Sequence, residues 1–136
     1  MTDYASALET AVFTRLTSQV TLATVYQHVP ENQAPPVVII ADFFPEQFGG
    51  KGDEVERIEF DVVQVIRGAA RKPLHALQSE VKSALHNWKA ADAGGVTFSE
   101  VQHLNSTAQL LPDGQNYYGS MRFLAFVQTP RFPASR

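Results

Sequence analysis

Residues 55–88, VERIEFDVVQVIRGAARKPLHALQSEVKSALHNW, read as one long strand, a tight turn at Gly68 and one amphipathic helix. Val55 to Arg67 is rich in β-branched residues, which favour extended backbone. Ile58, Phe60 and Val62 share one face at a two-residue step, and then Val63 and Val65 are apolar on the other. Either a bulge near Val62–Val63 or burial of both faces accounts for this change of phase. Thirteen extended residues span roughly 43 Å at about 3.3 Å each, so part of the strand is expected to project beyond its own core. Gly68 to Lys72 turns the chain, and Pro73 suits the first turn of a helix, where its missing N–H costs nothing. Leu74, Leu77, Val81, Ala84, Leu85 and Trp88 follow the 3.6-residue period, with His75, Gln78, Glu80, Lys82 and Lys89 on other faces. Gly94–Gly95 closes the region. Nothing here has the form of an active site. Both elements devote their side chains to packing, which directs attention to assembly rather than catalysis.

Working outward, Thr2 or Asp3 caps a first helix running to about Thr17, with Tyr4, Leu8, Ala11, Val12 and Leu16 on one stripe and Ala5 beside them. Val20 to Val29 is β-rich. Pro30 to Pro36 is a proline-rich loop, and VVIIADFF (37–44) is a strand expected to be covered on both faces. Pro45 to Asp53, PEQFGGKGD, reads as a glycine-rich loop joining two antiparallel strands. Val96 to Leu104 alternates and then slips phase. Leu110 and Leu111 precede the turn Pro112-Asp113-Gly114. Tyr117 to Thr129 is the last strand. Met121, Phe123, Ala125 and Val127 face one way, and Leu124 and Phe126 face the other. The fold class expected is α+β: an antiparallel β-sheet packed against two α-helices, one domain over residues 1–136, with 129–136 as a loose tail.

The chain has 136 residues, a length at which a domain buries about two-thirds of its unfolded surface. It has no cysteine, which removes disulfides and thiolate metal sites. Eleven basic and 14 acidic residues give a net charge of −3 with no basic block, an argument against a dedicated nucleic-acid binder. MTDYASALETAVF lacks a basic n-region followed by an apolar h-region, and the longest apolar run, Val37 to Ala41, is too short to cross a bilayer. The chain is therefore expected in the cytoplasm, or in something assembled there.

Few residues group as chemistry requires. His75 and His86 share a helix face but lie about 16 Å apart along the axis at 1.5 Å per residue, so they cannot hold one ion. All four histidines, His28 and His103 included, read as surface or half-buried side chains. Glu59 and Asp61 share a strand face, and a general acid and base are conceivable there, but Arg57 and Arg67 also balance them as a solvated face, and no nucleophile accompanies the pair. There is no G-x-S-x-G, and GGKGD departs from a P-loop because Lys51 is followed by glycine and the loop leads into a strand. Asn105-Ser106-Thr107 matches a glycosylation sequon, which carries little without a secretory signal. Arg67, Arg71 and Lys72 form a basic cluster at the strand–helix junction, suited to phosphate or an acidic partner or simply solvated. Tyr117 and Tyr118 are suited to a half-wet interface or to ordinary strand packing. No catalytic, cofactor or metal residue is assigned. The candidate contact residues are Phe48, Lys51, Asp53, Arg57, Arg67, Arg71, Lys72, Tyr117 and Tyr118.

The order of parts carries more than any single residue. An N-terminal helix leads to VYQHVPENQAPPVVII, a glycine-containing loop to FDVVQVI, then the helix PLHALQSEVKSAL and a closing PDGQNYYGSMRFLAFV strand. From about Ala5 to Gln128 this order resembles the tail completion (tail terminator) proteins of long-tailed bacteriophages and prophages. Val29-Pro30, Pro35-Pro36-Val37-Val38 and Tyr118-Gly119 before Met121-Arg122-Phe123 are its most telling pieces. The resemblance implies a small α+β structural protein, without catalysis or cofactor. It implies a hexameric ring of identical copies that caps the tail tube, ends tube growth and presents the tail to the head connector. The implied partners are sister copies, the tail tube protein and the head–tail connector, with no membrane and no specific nucleic acid. The implied location is the virion tail, assembled in the host bacterial cytoplasm. The Pro45–Asp53 loop is then expected to face the tube or the ring lumen. A head–tail connector or neck protein is the nearest alternative, and a small enzyme using Glu59 and Asp61 the more distant one.

Overall fold

The computed structural model describes residues 3–28, 34–48, 55–68, 70–92 and 95–129. Two helices and six strands follow in the order α1 (Tyr4–Gln19), β1 (Thr24–Tyr26), β2 (Val37–Phe48), β3 (Val55–Arg67), α2 (Lys72–Leu85), β4 (Thr97–Phe98), β5 (Gln102–Leu110) and β6 (Asn116–Gln128). The strands form one sheet in the order β1-β2-β3-β6-β4, with β5 also on β6, and among the described residues β1–β2 is the one parallel pair. This is the α+β architecture expected of the sequence.

The long strand is as read, but its setting differs. β6 pairs with β3 at every position from Val55↔Gln128 to Arg67↔Asn116, so β3 does not outrun its own sheet. The bulge sits in the neighbouring strand. β2 shifts register between Ile40 and Phe43, opposite Val62 and Phe60. On β3 itself Ile58, Phe60, Val62, Gln64 and Ile66 are all buried on one unbroken face. Gln64 takes the place where the apolar alternation lapses. Val63 is buried on the opposite face, which is the second of the two explanations for the phase change.

Other boundaries move for local reasons. Asp3 caps α1 by accepting the Ser6 N–H at 3.0 Å, and the helix runs past Thr17 until the Val20 N–H closes on Leu16 O. β1 is shorter than the β-rich stretch suggested, and Val29 to Gln33 lie outside the described residues. β2 continues through Pro45 to Phe48, because these residues pair with Val55 to Ile58 of β3. The loop expected from Pro45 therefore begins later, and residues 49–54 lie outside the described residues. β2 is also not covered on both faces throughout, since Asp42 and Phe44 are exposed. α2 stops at Leu85 rather than Trp88: the His86 N–H bonds Lys82 O, and Asn87 has φ 65°, a left-handed conformation that asparagine tolerates. Trp88 still packs against the core from outside the helix. Of the expected tail, Thr129 is bonded to the Tyr4 hydroxyl of α1, and residues 130–136 lie outside the described residues.

The core lies between the helices and one face of the sheet. Tyr4, Leu8, Val12 and Leu16 of α1 and Leu74, Leu77, Val81, Ala84 and Leu85 of α2 close over Ile58, Phe60, Val62, Met121, Phe123, Ala125 and Val127. Each fully buried Val, Leu, Ile, Phe or Met side chain here contributes roughly 1.5–3 kcal/mol relative to exposure. A row of rings crosses the sheet within this layer. Phe43, Phe60, Phe123 and His103 are register partners on β2, β3, β6 and β5, and their successive centroids are 5.3, 5.7 and 5.3 Å apart. Because this face is sealed by α1 and α2, residues of the alternate parity on β3 and β6 are turned to the opposite face. That face carries Arg57, Arg67 and Tyr118 among the candidate residues.

Candidate functional site

The face of the sheet away from the helices bears a charged network. Arg122 of β6 donates from Nε and Nη2 to the two carboxylate oxygens of Asp61 at 2.8 and 3.0 Å, and from Nη1 to Glu59 at 3.5 Å. Arg57 donates to the other oxygen of Glu59 at 2.7 Å and stands 3.9 Å from Glu46. The bond to Asp61 is the main reason the Arg122 pKa is raised, followed by loss of hydration, which opposes it, and the charges of Asp61, Glu59 and Asp42. The Arg122 guanidinium also lies 4.7 Å from the centroid of the Phe44 ring, and Phe44 is 46% exposed. Strand register puts these groups together: Phe44 faces Glu59, and Asp61 faces Arg122. The expected solvated face balanced by Arg57 is therefore found, but the second balancing cation is Arg122. Arg67 lies at the far end of β3. Asp61 has both oxygens held by one guanidinium, an arrangement that orders the surface.

The strand–helix junction forms a second patch. Arg67 donates to the Gln115 side chain at 3.2 Å, and Arg71 lies 5.4 Å from the Tyr117 ring centroid. Lys72 opens α2 beside them. Among the described residues none of these three cations makes an ion pair. Next to them is a cleft of about 320 Å³ lined by Leu22, Pro36, Ile66, Arg67, Pro73 and Ala76. Its shape is set by the turn after α1. There the Leu22 N–H and the Thr21 hydroxyl are both held by the Glu80 carboxylate of α2. Burial raises the Glu80 pKa, but those hydrogen bonds outweigh it and leave it lowered.

The other candidates divide. Tyr117 packs against the core under Arg71, whereas Tyr118, half-buried, pairs with Val65 on the opposite face. Phe48 ends β2 at the register partner of Val55, and Lys51 and Asp53 lie outside the described residues. Among the described residues, no three His, Asp or Glu side chains converge as metal ligands, and no helix is long and apolar enough to cross a membrane.

Sequence reasoning placed Gln78 on an outer face of α2, but it is buried. Its Nε2 donates to Gln64 Oε1 at 3.1 Å and to Thr107 O at 2.9 Å, and Gln64 Nε2 donates to Val62 O at 3.0 Å. A signal was present: Gln78 stands four residues after Leu74 and three before Val81, on the buried stripe. Gly119, register partner of Gln64, makes room for the pair.

A family model described as tail completion protein gp17 matches residues 10–128, from the middle of α1 to the end of β6. Among solved structures, a chain in the virion of a native gene transfer agent particle superposes with a TM-score of 0.84 at 19% identity, covering 94% of this chain and 99% of that one. At that identity the likeness establishes a shared fold. No curated protein matches the sequence.

Proposed function

The chain belongs to the tail completion protein gp17 family, and on that premise we propose that it is a structural protein of a phage-type tail. Six copies form a ring on the end of the tail tube, stop its growth and present the tail to the head connector, each copy acting as a single domain. The observation that carries this reading is the extent of the family match, which runs through every strand of the sheet and includes both the charged sheet face and the strand–helix junction. The solved chain of similar fold comes from a gene transfer agent virion, a setting in keeping with that role. The structure offers surfaces suited to it: an open charged sheet face, a basic cleft and a polar edge strand, β5. Light scattering on the purified chain, alone and with tail tube protein, tests the proposal. The expected particle holds six copies of the 15.0 kDa chain, and tubes grown in its presence end in a cap under negative stain. A chain that stays monomeric in both conditions and leaves tube length unchanged refutes it. Binding to a head connector without binding to tube identifies a neck protein instead.

A further inference from the structure

Two patches of opposite sign lie along β3, one at its Arg67 end and one around Glu59 and Asp61, and each presents an exposed apolar side chain. In the first, Arg67, Arg71 and Lys72 make no ion pair among the described residues and border the cleft that contains Leu22, which is 51% exposed. In the second, Asp42, Glu46, Glu59 and Asp61 surround Arg57 and Arg122, and the two carboxylates in excess sit around the exposed Phe44. Glu59 and Arg67 are eight residues apart on β3, about 26 Å of extended chain.

We propose, resting on the ring reading above, that successive copies of this chain dock head to tail, with the Phe44 face of one copy seated on the Leu22–Arg67 cleft of the next. The occupant is a second copy because the complementary charge is on the same molecule. Face-to-face and cleft-to-cleft pairings set like charges together and are disfavoured, whereas face-to-cleft pairing brings the carboxylate excess onto Arg67, Arg71 and Lys72. A contact between two different surfaces of identical subunits is heterologous, and its repetition generates a ring when the rotation closes. Side chains rather than backbone make the contact at the Phe44 end, since Pro45 beside it has no N–H to offer an added strand.

The test uses two variants of the full chain. Arg67→Glu/Arg71→Glu disables the cleft, and Phe44→Ala/Glu46→Lys disables the face. Arg67→Gln and Glu46→Gln serve as gentler versions should either double substitution disturb the melting transition. At a concentration where the unsubstituted chain is oligomeric, each variant alone is expected to be monomeric by light scattering. An equimolar mixture is expected to give dimers and nothing larger, because each mixed pair holds one intact contact. The gentler variants should weaken assembly at least tenfold. If the unsubstituted chain forms rings and both variants do so equally well, or if the mixture stays monomeric, this docking mode is wrong and the ring reading stands. If cleft variants lose tail tube binding while self-association is intact, the cleft belongs to the tube protein and the proposal falls. If the unsubstituted chain never associates, with or without tube protein, both readings fall.

Discussion

Gln78 of α2 donates to Gln64 of β3 across 3.1 Å, over the one position in β6 that has no side chain, Gly119. A Cβ at Gly119 overlaps Gln78 Nε2, stands 2.9 Å from Gln64 Oε1 and lies 3.1 Å from Leu74 Cδ1. The amides at risk are the far ends of long side chains, but both are fixed by further bonds to Thr107 O and Val62 O. Moving them leaves buried polar groups unpaired. Gly119→Ala is therefore expected to cost about 1–3 kcal/mol in urea unfolding. In a Gln78→Ala background the same substitution should cost much less, because the colliding atom is gone. Equal costs in the two backgrounds would show that the glutamine pair is not the reason for the glycine.

The row Phe43–Phe60–Phe123–His103 makes a second prediction. Phe60 and Phe123 are fully buried and stack on each other, Phe60 also stacks on Phe43, and Phe123 meets the tilted His103 ring. Phe60→Ala removes the inner member and opens a cavity between β2 and β6, with an expected loss of about 3–5 kcal/mol. Phe43→Ala, at the half-buried end of the row, should cost clearly less. Chemical denaturation of both variants checks the order, and a reversal would mean that the helices, rather than the ring row, set the packing of this layer.

The residues that could be read from sequence are those whose period matched their burial. β3 was legible to the residue, and so were the alternating faces of β6, because Ile58, Phe60, Met121, Phe123 and Ala125 all obey one two-residue step. β5 was not, since QHLNSTAQL lies on the sheet edge, is exposed at most positions and so keeps no alternation. Gln78 was misread, and its partner Gln64 passed over, for a related reason. Each satisfies the other inside the core, so polarity stopped reporting exposure. The charged face was half legible. Strand parity put Glu59 and Asp61 together, but their partner Arg122 is some sixty residues away in sequence, and only the β3–β6 register brings it opposite Asp61. The cleft by Arg67 was not legible at all, because three of its walls come from separate segments at Leu22, Pro36 and Ala76.

Stability should fall as the solution is acidified, in two stages. Burial holds the His103 pKa below its ordinary 6.5, with Lys82 and His86 nearby adding to the effect against a hydrogen bond that the ring donates to the Asn105 backbone. The neutral ring is thus the native form. Above 6.5 both states are neutral and the group contributes no pH dependence. As pH falls through 6.5 the unfolded chain takes up a proton that the native chain resists, so stability declines until the lower folded value is passed. Asp3 and Asp113 are held below 3.8 by the backbone N–H groups of Ser6 and Gln115, and Glu80 below 4.5 by Thr21 and Leu22 despite the opposing burial. Their contribution is present above those ordinary values and is lost as pH falls through the folded ones. Melting curves between about pH 7.5 and about pH 5.5 should show the histidine stage, and His103→Gln should flatten it while leaving the carboxylate stage intact. An unchanged slope in that variant would assign the first stage to another group.

The Arg122–Asp61 contact separates charge from geometry. Both nitrogens meet both oxygens, a bidentate arrangement that is shorter and stronger than a single bond. It spans the two central strands at their register partners, so it acts across the most extensive pairing in the sheet. Asp61→Asn keeps the shape, removes the charge and turns one acceptor into a donor aimed at the guanidinium. A lower melting temperature is expected at about 0.05 M salt. The deficit should shrink toward about 1 M salt, where the screening length has fallen to about 3 Å. Glu46→Gln is the control: Glu46 is 69% exposed and only 3.9 Å from Arg57, and surface pairs of that kind contribute little. A deficit in Asp61→Asn that salt leaves untouched would place the cost in the misdirected hydrogen bond rather than in the lost charge. In that case Asp61→Ser, which cannot donate along the same direction, should recover part of it.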